Sequence, residues 1–281
     1  MAKDQEFPDI LSKQESVNIQ KAEPGAEPSV PKPAATVLLV RAPSNEVEVF
    51  MIKRNAKTNF GGAWVFPGGK LDPVDEEIEI NSFCSGLTDE MASQIINVEN
   101  GGLNYWIACI RECFEECGVL LAYRENGDLF GASDDEEMKV VASYREKLNK
   151  GEPVLLELCK ELNLKLAVDR LAYVSHWITP KMEMKRYSTR FFIARCPNQL
   201  ASHDGVEGVE SRWVEPKVAL DLYKSGELPM IMPTIKNLEL IRDFQDTKSL
   251  LLSMNDKLIT DIPKVEPVFD VVDGKPKLIS Y

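Results

Sequence analysis

Three glutamates, Glu112, Glu115 and Glu116, stand at i, i+3 and i+4 in the stretch Arg111-Glu112-Cys113-Phe114-Glu115-Glu116-Cys117-Gly118-Val119. On a helix, at about 100° per residue, their carboxylates share about a third of the circumference. Cys109, Ile110, Cys113, Phe114 and Cys117 take the opposite side and supply a buried face without the acids. Three carboxylates so spaced repel one another unless a positive charge sits between them. Hard divalent cations such as Mg²⁺ or Mn²⁺ prefer oxygen ligands, so this face suits a metal platform. The competing reading, commoner for glutamates met without context, is a solvated acidic face.

Other residues invite chemistry less strongly. Gly68 and Gly69, in Phe66-Pro67-Gly68-Gly69, permit the backbone turn that would bring a loop against the acidic helix; an ordinary hairpin turn is the alternative. Glu207 and Glu210 precede a strand ending at Trp213, and either one is a candidate further base or ligand from across the site, or else a solvated rim acid. Arg54, Lys57, Lys185, Arg186 and Arg190 are the basic residues nearest the motif strands. His176 lies in an apolar strand, where core packing outweighs catalysis. The Cys109, Cys113, Cys117 stripe lies on the apolar helix face with no partner pair or histidine nearby in sequence, so it reads as small core residues rather than a zinc or redox site.

Several elements must position these groups. Residues 1–33 are polar, carry Pro24, Pro28, Pro31 and Pro33, and read as a flexible leader. Ala35 to Val40 and Val47 to Ile52 read as a hairpin, followed by the glycine-rich segment. A short helix is expected over Asp89 to Ile96, and a strong one from an Asn104 cap to Cys117, stopped by Gly118. Ser133-Asp134-Asp135-Glu136 has capping-box spacing ahead of a helix, and a second helix is expected from about Val154 to Leu162. Strands over Leu171 to Ile178, Thr189 to Arg195 and Val209 to Val214, then helices over Pro216 to Lys224 and Thr234 to Asp243, complete an α/β/α sandwich with a mixed sheet. The tail, 246–281, carries weak signals only.

Composition bounds the function. The 281 residues are 44% hydrophobic with a net charge of −12, which argues against nucleic acid or an anionic membrane as main partner. A small phosphorylated ligand is compatible, because a bound cation inverts the local field. No stretch approaches the roughly 20 apolar residues of a membrane span. The six cysteines form no disulfide framework, and the N-terminus lacks an apolar signal region. The C-terminal Ile279-Ser280-Tyr281 is not a peroxisomal address, so a soluble intracellular protein of open compartment is expected.

The stretch Arg111-Glu112-x-x-Glu115-Glu116-x-Gly118-Val119 resembles the second half of the Nudix box, G-x5-E-x7-R-E-U-x-E-E-x-G-U, where U is bulky and apolar. Counting back from Arg111, the box's first glutamate and glycine fall on Leu103 and Asn97, and neither fits. The first half is therefore placed at Gly69, with Asp75, Glu76 or Glu77 as the early acid. Gly69 to Arg111 is 111 − 69 = 42 positions against 14 in the uninterrupted box, so about 28 residues are inserted. The branch resembling peroxisomal or mitochondrial acyl-coenzyme A diphosphatases carries an insertion there. The segments Trp177-Ile178-Thr179-Pro180, Tyr187 to Phe192, Glu210 to Val214 and Met232-Pro233-Thr234 also resemble that branch.

The resemblance implies a Nudix hydrolase domain over 34–245, with helical insertions at about 72–102 and 133–164 that are natural places for substrate selection. It implies that Glu112, Glu115 and Glu116 hold Mg²⁺ or Mn²⁺, and that Arg111 orients a catalytic glutamate through an ion pair. Arg54, Gly68, Gly69 and Glu210 are the expected substrate contacts, and one basic residue should meet the 3′-phosphate of coenzyme A. The expected activity is hydrolysis of the pyrophosphate of coenzyme A or an acyl-coenzyme A. Two alternatives stay open: a pyrophosphatase acting on ADP-ribose, NADH or another nucleoside diphosphate derivative, and a Nudix-fold binding module without turnover.

Overall fold

The structure is a computed structural model that describes residues 17–23, 25–44, 46–256, 262–272 and 275–281, with backbone alone at 270–272 and 275–277. Its centre is β1 (Lys32–Arg41), an apolar run buried from Ala34 to Val40. β2 (Glu48–Arg54) follows in antiparallel pairing, with Val40 opposite Val49. Two short glycine-rich strands come next: β3 (Trp64–Val65) on β2, and β4 (Gly68–Lys70) on β1. The chain then forms a 3-10 turn (Pro73–Glu76), α1 (Ile78–Asn81), α2 (Asp89–Ile96) and the long α3 (Leu103–Cys117).

A small β5 (Ala122–Tyr123), α4 (Asp135–Asn149), α5 (Leu155–Glu161) and β6 (Lys165–Leu166) lead to β7 (Ala172–Ile178), β8 (Tyr187–Arg195) and β9 (Gly208–Val214). α6 (Pro216–Ser225), α7 (Met232–Ile241) and α8 (Thr247–Asn255) close the second layer, followed by β10 (Lys264–Val265) and a hairpin of β11 (Val268–Val272) with β12 (Lys275–Ser280). Among the described residues the main sheet runs β10-β7-β8-β1-β2-β3, with β4 also on β1 and β9 also on β2. The β1–β8 and β10–β7 pairs are parallel and the rest antiparallel, which gives the expected mixed sheet.

Alternation along β1 explains the two layers. Ala35, Val37 and Leu39 pack with Ile107, Ile110 and Phe114 of α3, whereas Leu38 and Val40 pack with Leu220, Leu238 and Leu250 of α6, α7 and α8. Successive side chains on a strand point to opposite faces, so a strand covered on both sides must be apolar throughout.

Four expectations change. Chain earlier than Ala34 is already packed: Val17 is buried, and Asn18 and Lys21 bridge to Gly61 and Glu183, so the leader from 17 onward straps the domain, while 1–16 lie outside the described residues. Asn104 is not the cap of the long helix. That end is held by Asp89, whose carboxylate accepts from the backbone nitrogens of Gly101 (3.0 Å) and Leu103 (2.9 Å). The cap of α4 is Asp134 rather than Ser133, and it accepts from the nitrogens of Glu136 and Glu137. The tail with weak signals forms α8, capped by Asp246, and adds β10 to the sheet.

Candidate active site

The carboxylates sit on the last turns of α3. Its opposite face, Cys109, Ile110, Cys113, Phe114 and Cys117, is fully buried. That burial fixes the rotation of the helix and aims the acids at β4 and the end of β2. The side chains of Glu112, Glu115 and Glu116 are only 13%, 16% and 8% exposed, which rules out a solvated acidic face. Gly118 ends the helix in the left-handed conformation at φ 74°, a position that favours glycine.

Arg111 is the hub. Its Nε and Nη2 bind the two oxygens of Asp75 at 2.8 Å each, its Nη1 binds Oε1 of both Glu112 and Glu115 at 2.9 Å, and Nη2 also reaches the Lys70 carbonyl at 2.9 Å. Of the three acids left open in the sequence, Asp75 is therefore the one that meets Arg111, six positions after Gly69. Glu76 and Glu77 are exposed. The pair is deeply buried, with Arg111 3% exposed and Asp75 0%. Planar guanidinium and carboxylate groups meet here in the two-bonded geometry that gives such pairs direction as well as energy.

The two glycines lie directly on the acids. The Gly68 nitrogen donates to Glu116 Oε2 at 2.8 Å. A Cβ on Gly69 would lie 2.5 Å from Glu112 Oε1, so no larger residue fits while Glu112 keeps its place. On the far side Arg54 Nη1 stands 3.9 Å from Glu116 and its Nη2 stands 3.4 Å from Glu207. Lys70 and Asp72 complete the ring at 3.8 Å, and Asp72 is 3.7 Å from Arg111.

Burial disfavours charge on these acids. The Glu112 carboxyl is pushed up to about 8 by loss of solvent, with Arg111 opposing and Glu115 adding to the shift. Glu116 is raised by burial and then by the charge of Glu112, and Glu115 by burial against the pull of Arg111.

The network links six acids (Asp72, Asp75, Glu112, Glu115, Glu116, Glu207) with three cations (Arg54, Lys70, Arg111). With all of them ionised, three negative charges are left over, and every candidate donor is a hard oxygen. A divalent cation fits that donor set and that charge. Among the described residues no three acids already converge as a ligand cluster. Arg111 Nη1 holds Oε1 of both Glu112 and Glu115.

A cavity of ≈ 520 Å³ opens over this ring. Its acidic end carries Arg54, Gly68, Gly69, Lys70, Glu112 and Glu115; its other walls include Trp177, Tyr187, Phe191, Met232, Pro233 and Phe269. Leu148 and Asn149 of α4 line it, as does Ile19 of the strap. Glu207 is on the cavity and Glu210 is not. Glu210 pairs with Arg212 at 2.8 Å and lies across the strand ladder from Lys53, whose side chain points to the face opposite Arg54.

The remaining candidates are placed away from the cavity. His176 bonds Ser188 Oγ at 2.7 Å and is pushed down to about 4 by burial and by Arg190 and Lys264. Arg186 ties the carbonyls of Thr179 and Ser29 to Glu266, and Arg190 lies over the Tyr105 ring at 4.1 Å. Neither these two nor Lys57 and Lys185 line the cavity. Lys70, which does line it, carried no sequence signal beyond following the glycines.

The family model described as the NUDT19 Nudix domain matches residues 88–241, more than half of the chain. The match begins after Asp75, so the residue that closes the ion pair with Arg111 lies outside it. The acyl-coenzyme A diphosphatase NUDT19 of Xenopus laevis is 27% identical over 242 residues, covering 74% of this chain and 63% of that protein. Its namesake in Gallus gallus is 24% identical over 294 residues, covering 88% and 77%. The chain thus spans less than two thirds of the length of the Xenopus relative. The crystal structure of a NUDIX hydrolase from Alicyclobacillus acidocaldarius superposes with a TM-score of 0.67 at 21% identity, covering 82% of this chain and 99% of that one, a likeness of fold. With the family model matching 88–241, a span that carries α3 and the strands β7 to β9, and with the acids, arginine and glycines of the box brought together in space, the chain belongs to the Nudix hydrolases, in the family of the NUDT19 Nudix domain.

Proposed function

We propose that this protein is a divalent-cation-dependent diphosphatase that hydrolyses coenzyme A or an acyl-coenzyme A to 3′,5′-ADP and the corresponding 4′-phosphopantetheine. The observation that carries this reading is the Arg111 hub. It gathers Asp75, Glu112 and Glu115 beside the Gly68–Gly69 backbone, on a cavity whose other walls include Trp177, Phe191 and Met232. The relatives named acyl-coenzyme A diphosphatase favour a coenzyme A derivative over other diphosphates.

In this reading Glu112, Glu115 and Glu116 would hold Mg²⁺ or Mn²⁺, which would supply charge neutralisation for the pyrophosphate and a more acidic water. The chain's own groups do the rest. Asp75 fixes Arg111, and Arg111 in turn orients Glu112 and Glu115 through a single nitrogen. The Gly68 nitrogen holds one oxygen of Glu116 and leaves the other facing Arg54. Glu207 holds Arg54 by Nη2, so its Nη1 and the Lys70 ammonium face the phosphate oxygens across the cavity. Water forms the new phosphorus–oxygen bond and gives up its proton to solvent, the bridging bond breaks, and the leaving phosphate departs as an anion.

The test is a hydrolysis panel on the purified chain with Mg²⁺ or Mn²⁺, using coenzyme A, an acyl-coenzyme A, ADP-ribose and NADH, with products identified by mass. Release of 3′,5′-ADP is expected, with kcat lowered by about 10²–10³-fold in Glu116→Gln, the range for losing one pre-placed electrostatic group. Turnover of ADP-ribose or NADH alone would retain the chemistry and overturn the substrate.

A further inference from the structure

The C-terminal turn of α3 carries two of the three glutamates, and helix ends fray because their last four carbonyls lack partners within the helix. Here all four are accounted for. The Phe114 carbonyl accepts from the Gly118 nitrogen at 2.9 Å, and the Cys117 carbonyl from the Ser202 nitrogen at 3.0 Å. The two between them, on Glu115 and Glu116 themselves, are both taken by Arg145: Nε to Glu115 O at 2.9 Å and Nη2 to Glu116 O at 3.1 Å. The same Nη2 donates to Ser202 O at 2.8 Å.

Ser202 begins the loop that carries Glu207. Two residues on, Asp204 accepts from the nitrogens of Val206, Glu207 and Gly208 at 3.1, 3.1 and 2.9 Å, so the loop behaves as one folded piece. One guanidinium from α4 therefore clamps the turn bearing Glu115 and Glu116 to the loop bearing Glu207, which faces Glu116 across Arg54. Arg145 does not line the cavity. Its three described bonds all end on backbone carbonyls, and its positive charge meets the negative end of the helix dipole.

We propose that Arg145 is a positioning residue of the active site, which fixes the spacing between the helix carboxylates and Glu207 and thereby the affinity for the divalent cation. The assignment rests on the reading of α3 as the cation-binding helix. Arginine is suited to the task because a planar fork reaches several carbonyls at once, which the single ammonium of lysine does not. Partners behind a ligand set are typically worth about 10–100-fold in metal affinity or activity.

The test uses the full chain. Mn²⁺ binding is titrated calorimetrically, without substrate, for wild type, Arg145→Met and Arg145→Lys, with circular dichroism and thermal midpoints as a check of folding. Steady-state kcat and KM are read on the substrate that wild type turns over. Arg145→Met is expected to weaken Mn²⁺ binding and lower kcat by about 10–100-fold, with KM within about two-fold of wild type, and Arg145→Lys is expected to recover part of both. A folded Arg145→Met protein with wild-type Mn²⁺ affinity and kcat would overturn the proposal, whatever its thermal midpoint. Should Arg145→Met fail to fold, the lysine variant decides: undiminished Mn²⁺ affinity there overturns the proposal, and a partial loss supports it. Wild type that binds no Mn²⁺ at millimolar concentration would bring down the cation-helix reading itself and Arg145 with it, an outcome distinct from equal binding by wild type and variant.

Discussion

The two helical stretches 72–102 and 133–164 meet the same site from opposite sides and do different work. The first stands behind it. Ile80, Ala92 and Ile96 are buried in the core under the sheet, Asp89 caps the start of α3, and Asp75 holds Arg111 from within. Asp72 is its one residue on the cavity. The second stands in front. Only Tyr144 and Leu148 of α4 are buried, yet its end places Leu148 and Asn149 on the cavity and Arg145 on the carbonyls of the acidic turn. A stretch interrupting a catalytic motif need not be a substrate loop; here it is scaffold, and the later one forms the rim. Substitutions should then separate stability from recognition.

The sharpest break in that contrast is Asp75→Asn. It leaves the Arg111 charge buried with only part of its compensation, and breaking a buried pair from one side costs about 3–5 kcal/mol. Urea unfolding should show a loss of that size, together with a fall in kcat as Arg111 releases Glu112 and Glu115. A loss below about 1 kcal/mol would mean that Asp75 is not what holds the hub, and the first stretch would lose its scaffold role.

How much of this was legible in the sequence follows from the range of each interaction. The acidic face of α3, its apolar back and its Gly118 stop were readable, because helix periodicity and capping are encoded within a few residues. The place of Gly69 was readable from the motif, but the choice among Asp75, Glu76 and Glu77 was not, because it depends on a 3-10 turn that buries only the first. Asp89 as the cap of α3 was hidden, since its partners at Gly101 and Leu103 are brought near only by the tertiary packing of α2. That Glu207 and not Glu210 reaches the cavity was hidden too, because Glu207 precedes β9 in a loop held by Asp204 and meets Arg54 only in the folded chain. The strap at 17–23 and the cavity wall from Phe269 carry little periodicity, and only the folded chain brings them to the site.

A finer test concerns charge in front of that scaffold. Because Asp75 occupies two donors of Arg111, one nitrogen remains for Glu112 and Glu115, and Glu112 is pushed from its ordinary 4.5 up to about 8 by burial. A carboxyl raised on folding favours the native state fully below 4.5, and that contribution is lost as pH rises toward about 8. In the cation-free protein the slope is about 1.4 kcal/mol per pH unit for each such proton. The thermal midpoint should thus fall across this window without cation. The gain from added Mg²⁺ should grow over the same window, since a carboxylate binds a cation only after losing its proton. A Mg²⁺ gain that stays flat from pH 5 to pH 8 would show that Glu112 is already ionised, with Arg111 alone sufficient to hold it so.

The smallest expected effect tests the rim. Asn149 lines the cavity at the end of α4, away from the acidic ring's ion pairs. Truncation to alanine removes one amide from the wall while touching neither α3 nor the core. A single hydrogen bond to substrate is worth about 0.5–1.5 kcal/mol, or about 2–10-fold in KM. Asn149→Ala should therefore raise KM for the preferred substrate within that range, leave kcat nearly unchanged, and shift unfolding by less than about 0.5 kcal/mol. That is the mirror image of Asp75→Asn, which acts on stability and kcat. If KM stays constant for every substrate turned over, α4 serves the site through Arg145 alone. Recognition would then fall to the strap and to the wall built from Trp177, Met232 and Phe269, where the same KM measurement on Phe269→Ala would locate it.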